Sequence, residues 1–110
     1  MSQRQYIELL LTCEDSTEAG KIATALLDKH LIVCAKQIPV SAQYWWESAQ
    51  TKADEVMLMM ESAEDLFDEI ETEVEQLHSY ETFVLQALPF SRISKKATGW
   101  VEDNLKQKVN

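Results

Sequence analysis

Apolar residues along the chain follow two different patterns. Four nearly continuous apolar runs predict strands, because a strand in the middle of a sheet has few polar positions. They lie at Gln5–Thr12, Leu31–Glu47, Thr51–Glu61 and Thr82–Leu88. Between and after these runs, apolar residues return every three or four positions, which predicts helices with one buried face. The predicted order is strand, helix, strand, strand, helix, strand and a terminal helix.

The predicted helices begin at polar residues that favour helix starts. Asp15 is followed by Glu18 at the spacing of a capping box. A second helix is predicted to begin at Ser62. The terminal helix is predicted from about Ser94, with Trp100 on its buried face.

This order of elements predicts a ferredoxin-like βαββαβ fold of the α+β class, with a four-stranded antiparallel sheet, a long central hairpin and a C-terminal helix. Right-handed crossovers leave few alternatives. The length of 110 residues suits one core, so we expect a single domain over residues 1–110. The first and second strands are not neighbours in this topology, so a Cys13–Cys34 disulfide is not expected.

The second predicted strand, Leu31–Glu47, is too long for a small globular body to cover. At about 3.3 Å per residue it spans roughly 55 Å, whereas a compact domain of this size has a radius of gyration of about 13 Å. The strand carries Tyr44, Trp45 and Trp46, which would take a large apolar surface into water. We expect two features together: a strand that bends back at Pro39, and a hairpin that projects into a partner subunit.

Charge is distributed unevenly along the chain, whose formal net charge is −9. Between Lys52 and Arg92 there is no Lys or Arg, and the same window holds eleven acidic residues. Nucleic acid and anionic membrane surfaces require basic patches, so neither is expected as a partner. We interpret the acidic region as a face exposed to solvent. The alternative is a surface that attracts and binds cations.

The expected location is the cytoplasm. No stretch of the sequence has the length and apolar character of a signal-peptide core or a membrane span. Two cysteines in a reducing compartment are expected to remain free thiols.

Few residues could bind a ligand or react. His78, with Tyr80 and Glu81 beside it, offers an imidazole, a phenol and a carboxylate, which is less than a tetrahedral metal site requires. For His78 and for His30 the alternative is stabilisation of a helix C-terminus. Cys34 is either a soft ligand or an inert core residue. There is no phosphate-binding glycine loop, nucleophile elbow or CxxC pair, so we do not expect an enzyme.

Several of these residues resemble a known family when taken together. They are the segment Leu31–Pro39, then Ser41, Tyr44, Trp45, Trp46, Glu47 and Glu55, the loop residues His78, Tyr80, Glu81, then Ala87, Leu88, Pro89, and the late Trp100. In this order they resemble the CutA divalent-cation tolerance family over essentially the whole chain. The resemblance implies a cytoplasmic homotrimer interlocked by long hairpins, similar to the PII signal-transduction proteins, with a link to tolerance of copper and other divalent metals.

The resemblance also implies where a copper ion would bind. The ligands proposed for some relatives are a cysteine at the end of the first strand and a histidine pair. Those positions hold Leu11, Leu77 and His78 here, so His78 is the one metal ligand that remains. Cys13, two residues after Leu11, is a candidate to replace the missing thiol.

Three functions stay open at this point. One is weak binding of a divalent cation such as copper through His78. Another is a PII-like sensor that binds a small molecule in a cleft between subunits, for which Cys34, Tyr80 and Glu81 are the candidate residues. A third is a structural or adaptor trimer that docks another protein through its hairpins and acidic helix.

Overall fold

A computed structural model describes residues 4–107. The elements are strand β1 (Tyr6–Cys13), helix α1 (Ser16–Asp28), strands β2 (Cys34–Trp46) and β3 (Ala49–Ala63), helix α2 (Phe67–Leu77), strand β4 (Leu85–Pro89) and helix α3 (Lys95–Asn104). The sheet is antiparallel in the order β2-β3-β1-β4. The predicted fold class and the terminal helix are therefore confirmed. Within residues 4–107, no helix has the length and apolar character needed to cross a bilayer.

The hydrophobic core lies between one face of the sheet and the helices. Every second residue of β1 is buried. From the strands the core takes Ile7, Leu9, Leu11, Cys13, Leu58 and Met60, and from the helices mainly Ile22, Leu26, Ile70, Val74 and Val101. The intervening residues of β1 lie on the opposite, open face of the sheet, because successive side chains of a strand alternate.

The long hairpin of β2 and β3 keeps one register from Cys34, opposite Glu61, to Trp46, opposite Ala49. The bend expected at Pro39 is wrong, because the pairing continues through this residue, which lies opposite Val56. The hairpin contributes to a longest dimension of 50 Å, against 26 and 23 Å in the other directions. The predicted long hairpin is therefore confirmed, without a fold-back.

Pro39 is tolerated because of the direction in which its nitrogen points. The N–H of Glu64, just after β3, donates to the carbonyl of Gln5, just before β1, at 2.9 Å. Successive residues of a strand direct their backbone N–H and C=O groups alternately to the neighbours on its two sides. The even-numbered residues of β3, including Val56, therefore bond β1 rather than β2. Pro39, opposite Val56 on the edge strand, directs its nitrogen away from the sheet, where no bond is lost.

Several predicted boundaries differ in the structure. Ser62 does not begin a helix. It lies buried at the end of β3, where its hydroxyl donates to the carbonyl of Leu31 at 2.6 Å, and a 3₁₀ turn (Glu64–Leu66) precedes α2. Leu31 is buried core before β2 begins, rather than part of the strand. The hydrogen bond from Ser62 gives the buried carbonyl of Leu31 a partner, although Leu31 lies outside the strands.

Two expectations near the C-terminal end also need correction. β4 begins at Leu85 rather than Thr82. Trp100 is 48% exposed, whereas its neighbour Val101 is buried. The helical repeat alone could not decide which of these two adjacent residues faces the core.

The tip of the hairpin is a two-residue turn in a left-handed conformation. Glu47 has φ 47° and Ser48 has φ 66°, as the twist of a tight hairpin requires. Side chains other than glycine adopt this region at a cost of about 1–2 kcal/mol per residue. The turn is therefore a local strain within the hairpin.

Replacing Ser48 with glycine should stabilise the protein by roughly 0.5–1 kcal/mol, because glycine adopts positive φ without the steric cost. The measurement is the midpoint of urea unfolding at a fixed protein concentration. The matched control is Ser41→Gly within β2, where glycine should lower stability by a similar amount. Equal effects of the two substitutions would contradict the strain at the turn.

Candidate metal site

Three side chains that can bind a metal meet where β1 ends. Cys13 is the last residue of β1, Glu18 lies in the first turn of α1, and His78 caps the C-terminus of α2. A ligand atom from each lies within 4.8 Å of the other two. Among residues 4–107 this is the one cluster of three or more His, Cys, Asp or Glu ligands with such spacing.

Glu18 connects the start of α1 to the loop after α2. Asp15 caps the helix by accepting from the Glu18 N–H at 2.9 Å, as the sequence predicts. The Glu18 carboxylate accepts from the N–H of Glu14 at 2.8 Å and from the N–H of Ser79 at 2.7 Å. Burial opposes its ionisation, but these two hydrogen bonds outweigh burial, so the pKa of Glu18 is lowered.

The imidazole of His78 is completely buried and bonded at both nitrogens. Its Nε2 lies 2.9 Å from the carbonyl oxygen of Thr12, and its Nδ1 lies 3.0 Å from the backbone nitrogen of Tyr80. A carbonyl only accepts and a backbone N–H only donates. These partners therefore assign the proton to Nε2 and leave a lone pair on Nδ1, which lies 3.8 Å from Glu18 Oε1.

Burial decides the chemistry of Cys13. Burial, together with the nearby carboxylates of Glu18, Asp15 and Glu55, raises the pKa of the thiol to about 12. At neutral pH the sulfur therefore carries its proton and is not a nucleophile. A metal ion that binds here has to displace that proton.

Tyr80 forms a second layer behind the cluster. Its hydroxyl donates to Glu55 Oε1 at 2.8 Å, and its ring lies 5.0 Å from the ring of His78. Glu55, on β3, is 7% exposed. Burial and the bond to Glu55 raise the pKa of the Tyr80 hydroxyl. The bond holds the loop after α2 against the base of the hairpin.

The structure does not bring all the sequence-predicted residues together. Cys34 begins β2 and is half-buried rather than a core residue, with its sulfur 3.6 Å from the ammonium of Lys36. Glu81 is exposed. His30 lies beyond the end of α1 at φ 57°, and its Nδ1 lies 3.0 Å from the carbonyl of Asn104.

Glu18 and Glu55 belong to this site but are not among the ligands that the sequence predicts. The sequence predicts a capping box for Glu18, but its carboxylate accepts from the N–H of Glu14 rather than from that of the cap residue Asp15. The Glu18 carboxylate extends toward the loop after α2, where it also accepts from the N–H of Ser79. The predicted topology could have placed Glu18 in the site, because the end of β1, the start of α1 and the end of α2 lie at one edge of this fold.

The donor set matches a transition metal better than a hard cation. Thiolate, imidazole and carboxylate suit zinc or copper, whereas calcium and magnesium take oxygen ligands. Glu18 and His78 already bond backbone groups, however. Metal binding therefore competes with an existing hydrogen-bond network.

The strand order, the helices packed on one face and the projecting hairpin define a ferredoxin-like protein with a thiol, carboxylate and imidazole cluster at the end of β1. The model of the CutA1 divalent ion tolerance protein family matches residues 7–104. The chain belongs to this family, which confirms the resemblance inferred from the sequence.

Relatives support the assignment along almost the whole chain. The divalent-cation tolerance protein CutA of Archaeoglobus fulgidus is 30% identical over 97 residues, which are 88% of this chain and 95% of that protein. A solved structure from the same organism, described as a periplasmic divalent cation tolerance protein, is 29% identical with a TM-score of 0.89, and covers 92% of this chain and 99% of that one. CutA1 from Oryza sativa, at 22% identity and a TM-score of 0.91 over 94% of this chain and 96% of that one, supports the fold alone.

Replacing Glu18 with glutamine should destabilise the protein by about 1–3 kcal/mol at neutral pH, because one of the two carboxylate acceptors becomes a donor facing a backbone N–H. Unfolding midpoints and hydrogen exchange at the Ser79 amide measure this loss.

Glu14→Gln is the matched control, since the exposed side chain of Glu14 is not part of the network. The lowered pKa of Glu18 means that its contribution is present above the ordinary carboxyl pKa of about 4.5 and is lost as the pH falls through the lowered value. If the difference in stability between the wild type and Glu18→Gln does not decrease at acidic pH, this role is contradicted.

Proposed function

We propose that this chain, folded as one domain, is a non-enzymatic homotrimeric protein of divalent-metal tolerance that binds a transition-metal ion such as copper or zinc through Cys13, Glu18 and His78. The convergence of these three ligand types within 4.8 Å is the observation that carries the proposal. The family membership of residues 7–104 supports the direction of the chemistry.

Binding requires two local changes, and both make it weak. The Cys13 thiol gives up its proton, and the N–H of Tyr80 leaves the lone pair of His78 Nδ1. The second change loosens the loop that Tyr80 and Glu55 hold in place. Such a site responds to metal in excess and does not retain an ion as a permanent structural part.

Self-association is supported by the apolar surface of the hairpin. Trp45 and Trp46 near its tip are 71% and 59% exposed. Ile38 on β2 and Leu88 on β4 add further exposed apolar area. Several large apolar side chains exposed on one element are typical of a subunit interface.

Two further parts of the proposal concern the location of the protein and the absence of catalysis. Both cysteines are free, which agrees with the proposed location in the reducing cytoplasm. The relative from Archaeoglobus fulgidus is described as periplasmic, so cell fractionation is the deciding measurement. The absence of catalysis is supported by the protonated Cys13 and by the engagement of both nitrogens of His78, which leaves this cluster without an activated nucleophile.

Calorimetric titration with zinc and copper ions should detect a site in the wild-type protein that weakens at least about tenfold in Cys13→Ser and in His78→Ala, because each removes one ligand. Cys34→Ser is the matched control, since Cys34 lies outside the cluster, and its affinity should equal that of the wild type. Binding that is unchanged in both ligand variants, or lost in Cys34→Ser, would remove this assignment.

Metal binding should release about one proton per ion near neutral pH, because the pKa of Cys13 is raised to about 12. The apparent affinity for zinc should therefore rise about tenfold per pH unit between pH 6 and 8 in wild type. Titrations in buffers of different ionisation enthalpy count the protons. Cys13→Ser should lose this release, and an equal release from that variant would exclude the thiol as the source.

A further inference from the structure

The open face of the sheet contains a pair of acidic residues placed directly opposite each other. Glu8 on β1 pairs with Glu61 on β3. Cross-strand partners share a face of the sheet, and the residues on either side of Glu8, Ile7 and Leu9, belong to the core. The two carboxyl groups therefore lie on the open face of the sheet, and like charges at directly opposed positions destabilise a pair of strands.

The other groups that face Glu8 do not neutralise both acids. From β2, the Lys36 ammonium lies 3.4 Å from Glu61 Oε1 and 3.6 Å from the sulfur of Cys34. From β4, the residue opposite Glu8 is the apolar Leu88. Along β1, Tyr6 is the next titratable side chain on the same face. One cation thus faces two carboxyl groups.

A proton resolves the conflict between the two acids. Glu8 Oε2 is buried and has no hydrogen-bond partner among the residues described, and the residue directly opposite Glu8 on β3 is the acidic Glu61. Two carboxylates only accept, so a hydrogen bond between them requires that one carries a proton. The cation of Lys36 contacts Glu61 and not Glu8, which leaves Glu8 as the protonated partner.

We propose that Glu8 and Glu61 share one proton across β1 and β3, and that release of this proton as the pH rises is a switch that weakens the fold. When the proton leaves, two negative charges face each other beside a single cation. The strands that the pair joins include β3, one arm of the long hairpin. The switch therefore connects the pH of the surroundings to the stability of the hairpin base.

The direction of the pH dependence follows from the protonated state of Glu8. Burial, and then the contact with Glu61, raise the pKa of Glu8 to about 7. The stabilisation is present in full below the ordinary carboxyl pKa of about 4.5, and it is lost as the pH rises through about 7. In this range the unfolding equilibrium constant should increase by up to about tenfold per pH unit through Glu8 alone.

The direct experiment is carbon-detected NMR titration of the glutamate carboxyl groups in the full-length protein. We expect one glutamate carboxyl to titrate near pH 7 and its signal to disappear in Glu8→Gln. If the Glu8 carboxyl titrates near the ordinary carboxyl pKa of about 4.5, the proposal is wrong.

Thermal unfolding between pH 5 and 8.5 provides the second measurement. Glu8→Gln keeps a neutral side chain that can donate to Glu61, so it should lose the decline in stability that the wild type shows toward pH 7 and be the more stable protein at pH 8. Glu71→Gln, on the exposed face of α2, is the matched control and should follow the wild type. Parallel pH profiles for wild type and Glu8→Gln would overturn the switch.

Native mass spectrometry across the same pH range separates this proposal from the proposed function. The proposal does not require a trimer, because the shared proton lies within one chain. A single-chain particle at every pH would contradict the homotrimer and leave the NMR result to decide on the proton. A trimer without a glutamate that titrates near pH 7 would contradict the shared proton alone.

Discussion

The antiparallel register between β1 and β3 is the constraint on which the rest of the structure depends. It sets Leu9 opposite Met60 in the core and Glu8 opposite Glu61 on the open face. A slip of one residue would exchange these faces, placing acids in the core and leucines in water. The same register brings Cys13 to the end of the strand as a buried residue. Core, acidic pair and ligand cluster thus follow from one alignment of two strands.

The ligand cluster is stabilised by hydrogen bonds that a metal ion would have to break. Glu18 accepts two backbone donors, and His78 uses both of its nitrogens. In the absence of metal these bonds join the ends of three elements, and buried groups with partners cost little free energy. A metal ion bound by these atoms would therefore replace hydrogen bonds that support the fold, and its affinity would be reduced by their loss.

The fold was predictable because strand and helix periods differ clearly over β1, α1 and the hairpin. The sequence signals failed where tertiary contacts override local pattern. Ser62 has the chemistry of a helix cap, yet a hydrogen bond to Leu31 holds it within β3. For the site, His78 and Tyr80 were found as neighbours in sequence. The role of Glu18 was not predictable in this way, because its contact with Ser79 joins residues 61 positions apart. The spacing of residues along the chain does not indicate such a contact.

Pro39 has a consequence for what the hairpin can join. The outer side of β2 is a free sheet edge, and such edges invite other strands to extend the sheet. A visiting strand that tried to pair along β2 would find no donor at Pro39, whose nitrogen points outward and carries no hydrogen. The interruption falls near the middle of β2 (Cys34–Trp46). One outward-facing position of β2 therefore cannot donate to an added strand, which interrupts extension of the sheet along this edge.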